Sequence, residues 1–121
     1  MKKLMTKHFA KWASKQNIPA GHLSIVLSEM QEGNFEANLG GNIYKKRIRF
    51  QGQGKSGSGR TIICYKKDDR AILIHGFSKN EKSSLSKKEL TAFKELAQIL
   101  LNLSGDELNI AISNEVLQEV E

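Results

Sequence analysis

Thr61-Ile62-Ile63-Cys64-Tyr65-Lys66-Lys67-Asp68-Asp69-Arg70-Ala71-Ile72-Leu73-Ile74-His75 is the stretch on which the fold turns. Both ends are apolar, β-branched runs of the composition that suits a pleated, buried surface. Lys67-Asp68-Asp69 between them supplies turn chemistry, so the stretch reads as a β-hairpin. Moving toward the N-terminus, Ile43 to about Phe50 forms another strand. It is preceded by the turn Gly40-Gly41-Asn42 and by the alternation Phe35, Ala37, Leu39. Before residue 34 the period changes. Phe9, Trp12 and Ala13 make a short helical stripe, broken at Asn17-Ile18-Pro19 because the residue before proline avoids the α region. Leu23, Val26, Leu27 and Met30 mark a second amphipathic helix that ends at Gly33.

Downstream of the hairpin, Ser86 and Glu89 have the spacing of a capping box. A helix carrying Leu90, Phe93, Ala97 and Leu100 follows, and Gly105 is expected to end it. Leu108, Ile112, Val116 and Val120 suggest a further short helix or an extended tail. The expected fold is therefore α+β. It has an antiparallel sheet of about four strands, two N-terminal helices and a C-terminal helix, in a single domain over residues 1–121.

The bulk composition fits that reading and narrows the function. With 39% hydrophobic and 26% charged residues the chain is ordinary for a globular protein. Its one cysteine, Cys64, rules out an internal disulfide framework and suits a reducing compartment. Lys7, His8 and Lys11 interrupt the N-terminus before any signal-peptide core can form. No run approaches the roughly 20 apolar residues of a membrane span, so a soluble, cytoplasmic protein is expected.

The net charge of +6 hides a division: all nineteen Lys and Arg lie before residue 95, and six of the thirteen acids lie from Glu95 onward. Between Glu36 and Asp68 there is no acid, while Lys45, Lys46, Arg47, Arg49, Lys55, Arg60, Lys66 and Lys67 all fall there. A solvated face normally mixes signs, so this stretch points to a polyanionic partner; the plainer alternative is a solubility surface.

Three clusters can carry chemistry. Strand periodicity puts Lys45, Arg47 and Arg49 on one face, with Tyr44, Ile48 and Phe50 on the other and Lys46 intruding among them. Such a row of cations is unfavourable unless a phosphate backbone lies across it, or unless it protects an edge strand from aggregation. The second cluster, Gly52-Gln53-Gly54-Lys55-Ser56-Gly57-Ser58-Gly59-Arg60, is not a P-loop, because that motif needs glycine at position 49, where Arg49 stands. It remains a glycine loop with Lys55 at its centre, returning at Arg60. The third, Gly76-Phe77-Ser78-Lys79-Asn80-Glu81-Lys82, ends the hairpin; Phe77 there is either core or a stacking platform for a base. His8, His22 and His75 lack metal-ligand spacing, Cys64 lies mid-strand, and His75 reads as a sheet histidine.

Together these segments resemble the RelE/ParE superfamily of bacterial toxins, most closely the RelE-type or HigB-like translational repressors. The resemblance rests on Leu39-Gly40-Gly41, Tyr44-Lys45-Lys46-Arg47-Ile48, Gly52-Gln53-Gly54-Lys55-Ser56-Gly57 with Arg60-Thr61, and Gly76-Phe77-Ser78-Lys79-Asn80-Glu81. It implies a microbial-RNase-like fold with helices packed on one side of the sheet. It also implies a ribosome-dependent mRNA endoribonuclease, the toxin of a type II toxin–antitoxin system, working without metal or cofactor. Its partners would be the ribosome, mRNA and a cognate antitoxin, a small helix-turn-helix DNA-binding protein whose complex with the toxin binds operator DNA.

By the same resemblance Lys45, Arg47, Arg60 and Lys79 are the catalytic candidates, while the three clusters themselves make Lys46, Arg49, Lys55, Phe77 and Lys82 the RNA-binding ones. Asn80 stands where relatives often carry a second arginine, and neither Tyr nor His follows Lys79. The general base is thus left open, a lysine among other cations being one candidate. The alternative readings are a non-cleaving, ParE-like gyrase inhibitor and an RNA-binding protein.

Overall fold

A computed structural model describes residues 1–49, 58–78 and 85–120. The described residues form, in chain order, β1 (Lys2–Thr6), α1 (Lys7–Lys15), α2 (Ala20–Gln31), β2 (Ala37–Gly40), β3 (Ile43–Arg49), β4 (Ser58–Lys66), β5 (Arg70–Ser78), α3 (Lys87–Leu101), α4 (Gly105–Ser113) and β6 (Leu117–Glu119). The strands make one sheet in the order β2-β3-β4-β5-β1-β6. The hairpin of β4 and β5 lies at its centre, which is why those strands read as continuous apolar runs instead of alternating ones.

The fold is α+β as expected, with three differences. The sheet has six strands, not about four, and it is mixed: β1 runs parallel to β5, from Lys2 opposite Arg70 to Met5 opposite Leu73. The expected helix end at Gly105 is a helix start. Asn102 closes α3, Ser104 caps α4, and Gly105 is the first residue of α4. Finally, helices cover both faces instead of one. Phe9, Ala13, Leu23, Val26, Leu27 and Met30 of α1 and α2 pack on Ile48, Ile63 and Leu73. On the other face Ala97, Leu100, Leu101 and Leu108 of α3 and α4 pack on Ile43, Ile62, Cys64, Ile72 and Leu117. Each fully buried aliphatic or aromatic side chain contributes about 1.5–3 kcal/mol of transfer free energy, so both layers hold the sheet.

Local signals set the helix limits. Thr6 Oγ1 accepts the Phe9 N–H at 3.1 Å to start α1. Asn17, at φ 57°, ends it, with its own N–H donated to Ser14 and that of Ile18 to Ala13. Gly33, at φ 88°, ends α2 with the same pair of bonds, from Gly33 to Met30 and from Asn34 to Glu29. The Ser86–Glu89 capping box forms as the spacing predicts. Among the described residues no helix is long and apolar enough to cross a membrane.

Candidate functional site

Register places the cations. Lys45 of β3 lies opposite Ile62 of β4, which lies opposite His75 of β5; two residues along, Arg47 lies opposite Arg60, which lies opposite Phe77. Residues directly opposite in a sheet share a face. Ile62 and Phe77 belong to the core under α3, so both rows lie on the α3 side. The structure thus brings Lys45, Arg47 and Arg60 together, with Arg49 farther along β3 on the same side of the pleat. Arg47 and Arg49 are exposed and Lys45 is half-buried.

Two arginines directly opposite each other repel, and Glu36 relieves that repulsion. Its Oε2 lies 2.6 Å from Arg60 Nε, and the Arg60 side chain is only 10% exposed. Arg60 Nη1 also donates to its neighbouring carbonyl, Gly59 O, at 3.2 Å. Arg60 is therefore held in one place by a charge-assisted bond, with the planar donor fork that suits a phosphate. Glu36 was not singled out in the sequence. It marks the border of the acid-free stretch, but nothing in its spacing says that it folds back onto Arg60.

Two sequence-based assignments change. Lys46, an RNA-binding candidate by sequence, points to the opposite face. There its side chain is 7% exposed and its Nζ lies 3.2 Å from Glu29 of α2, so the ammonium serves the packing of α2. Phe77 is 3% exposed within the core, so the core alternative holds and its ring offers no platform to a base. Lys55, Lys79 and Lys82, and with them Phe50 and most of the glycine loop, lie outside the described residues.

The histidines hold a surprise. His8, in the first turn of α1, lies edge to edge with His75, with ring centroids 5.3 Å apart and planes within 5°. Its Nε2 lies 3.1 Å from His75 Nδ1, across 67 residues of sequence. Phe93 of α3 contacts His75 from another side at 4.7 Å. Cys64 carries no thiolate chemistry: burial pushes its thiol up to about 12. Among the described residues no group of three or more His, Cys, Asp or Glu could hold a metal ion.

What remains is a sheet face on which Lys45, Arg47 and Arg60 cluster, Arg60 held by Glu36, an arrangement suited to a phosphodiester. No curated protein matches the chain. Residues 1–120 match the family described as the RelE toxin of the RelE/RelB toxin–antitoxin system. The match spans nearly the whole chain, both sheet rows included; the protein belongs to the RelE toxin family.

Proposed function

We propose that this RelE-family toxin is a ribosome-dependent mRNA endoribonuclease, silenced by a cognate antitoxin. The observation that carries the reading is the pair of adjacent cross-strand rows that bring Lys45, Arg47 and Arg60 onto one sheet face, Arg60 fixed by Glu36. Lys45, Arg47 and Arg49 hold the phosphate backbone, contacts that supply affinity without sequence choice. Lys79 keeps the catalytic role that the family resemblance gives it, and Lys55 and Lys82 the RNA contacts read from their clusters. The ribosome holds the message so that a ribose 2′-hydroxyl attacks the adjacent 3′ phosphate, and Arg60 neutralises the charge that gathers on the phosphorane oxygens.

Induced expression followed by mapping of new 5′ ends on cellular mRNA tests the reading. The expected result is cuts within translated frames. DNA damage without such cuts means gyrase poisoning instead, and neither means a binding protein. Arg60→Ala is expected to abolish growth arrest while the protein stays folded, because loss of one charge-stabilising group costs about 3 kcal/mol of transition-state stabilisation, on the order of 10²-fold in rate. Full arrest by a folded Arg60→Ala protein contradicts the role given to Arg60.

A further inference from the structure

We infer that His75 is the general base of the cleavage and that His8 is its positioning residue, an assignment that rests on the endoribonuclease reading. The argument begins with placement. His75 closes the row Lys45–Ile62–His75, so it is a diagonal neighbour of Arg60, whose direct partner is Phe77. Diagonal neighbours in an antiparallel pair are about 7–8 Å apart at Cα, within reach of one substrate phosphate for long side chains.

The second observation is the contact with His8. A 3.1 Å approach of His8 Nε2 to His75 Nδ1 requires a proton on one nitrogen and a lone pair on the other. With the proton on His75 Nδ1 donated to His8, the lone pair of His75 stands on Nε2, at the far side of the ring. The in-plane contact with His8 and the contact with Phe93 fix the ring plane. An orienting acceptor behind an imidazole is the arrangement by which a histidine is kept in the tautomer that can take a proton.

Charged groups surround the pair. Lys45 in the same row and Arg60 on the diagonal are the cations nearest to His75 in register. Glu36, the carboxylate that meets this face, is engaged by Arg60. On α3, Glu89 lies one turn before Phe93 and is engaged at the helix cap, where it accepts the Ser86 N–H. On α1, Lys7 is the residue before His8 and is exposed.

The step balances without a co-reactant. His75 Nε2 takes the 2′-hydroxyl proton as O2′ bonds to phosphorus. The P–O5′ bond breaks, O5′ takes a proton from water, and a 2′,3′-cyclic phosphate and a 5′-hydroxyl result. The imidazolium then returns its proton to water. The chain has no Tyr or His after Lys79, and this pair supplies what that segment lacks.

Single-turnover cleavage of mRNA on programmed ribosomes, followed from pH 5 to 9 as a range set by about the titration of histidine, tests the assignment. His75→Ala is expected to cut about 100-fold more slowly and to lose the rise in rate with pH that neutralising the base produces. His8→Phe keeps an aromatic ring at this place but not the acceptor. It is expected to lose about tenfold, the worth of one oriented hydrogen bond, and to shift that rise along the pH axis. Wild-type rate and pH profile in a folded His75→Ala protein overturn the assignment while leaving the endoribonuclease reading intact; no cutting by the wild type overturns that reading itself. Should His75→Ala fail to fold, ¹⁵N resonances of the wild-type histidines decide: Nδ1–H on His75 is expected, and Nε2–H with a bare Nδ1 contradicts the proposal.

Discussion

Lys46 and Arg47 are chemically similar neighbours that the pleat sends to opposite faces, and their fates show how little residue type alone decides. Arg47 stays exposed in the cationic row, whereas Lys46 is buried against Glu29. Lys46→Met should therefore leave toxicity unchanged and stability close to that of the wild type, because Glu29 keeps access to water once the ammonium is gone. Arg47→Met should weaken ribosome-dependent cutting, and comparing the two in a cleavage assay checks both.

Gly76 is a second residue whose identity is set by a neighbour. A Cβ there would lie inside van der Waals contact of the Trp12 ring carbons on α1. Gly76→Ala should lower stability by about 1–3 kcal/mol, read from the denaturant midpoint, since a packed indole cannot step aside cheaply.

Elements were legible in proportion to the strength of their local signals. The β4–β5 hairpin, α2 and the Ser86 cap could all be read directly, because apolar periodicity and capping chemistry agree there. β1 could not: among Lys2-Lys3-Leu4-Met5-Thr6 only Leu4 is fully buried, and Lys3 looks like surface. In the fold, Lys3 Nζ instead reaches Ser24 O, Ser24 Oγ and Ser28 Oγ of α2, a tertiary arrangement with no signature in spacing. The site divides in the same way. Period two put Lys45 and Arg47 on one face, but the Glu36–Arg60 bond and the His8–His75 contact join distant segments and could not be read.

The second capping box, Ser104 with Glu107, bears on stability in acid. The Ser104 backbone N–H holds the Glu107 carboxyl below its ordinary value of 4.5. A depressed carboxyl contributes stability that is fully present above that ordinary value and lost as pH falls through the lower folded one. Melting temperature should thus fall on acidification below pH 4.5, and Glu107→Gln should make that slope shallower.

At the scale of the whole molecule, charge is segregated along the chain. α1 adds exposed Lys7, Lys11 and Lys15 at four-residue spacing and carries no acid, while α4 and β6 carry acids and no base. The proposed function would have the Lys45, Arg47 and Arg60 face attract an acidic segment of the antitoxin. Surface charges are screened over about 10 Å in 0.1 M salt, so a complex closed on Lys45, Arg47 and Arg60 should dissociate faster as salt rises. Dissociation rates that do not change with salt would instead point to the exposed Ile99, Ile110 and Val116 of the α3–α4 side.

The central claim, that a fixed cationic face cuts RNA only when the ribosome presents it, has a direct test: purified protein added to one mRNA, naked and on programmed ribosomes, with 5′ ends mapped in both. The account predicts cuts on the ribosome and negligible cutting of the naked strand, because positioning supplies much of the rate. Equal cutting of both, or cutting of neither, would contradict it.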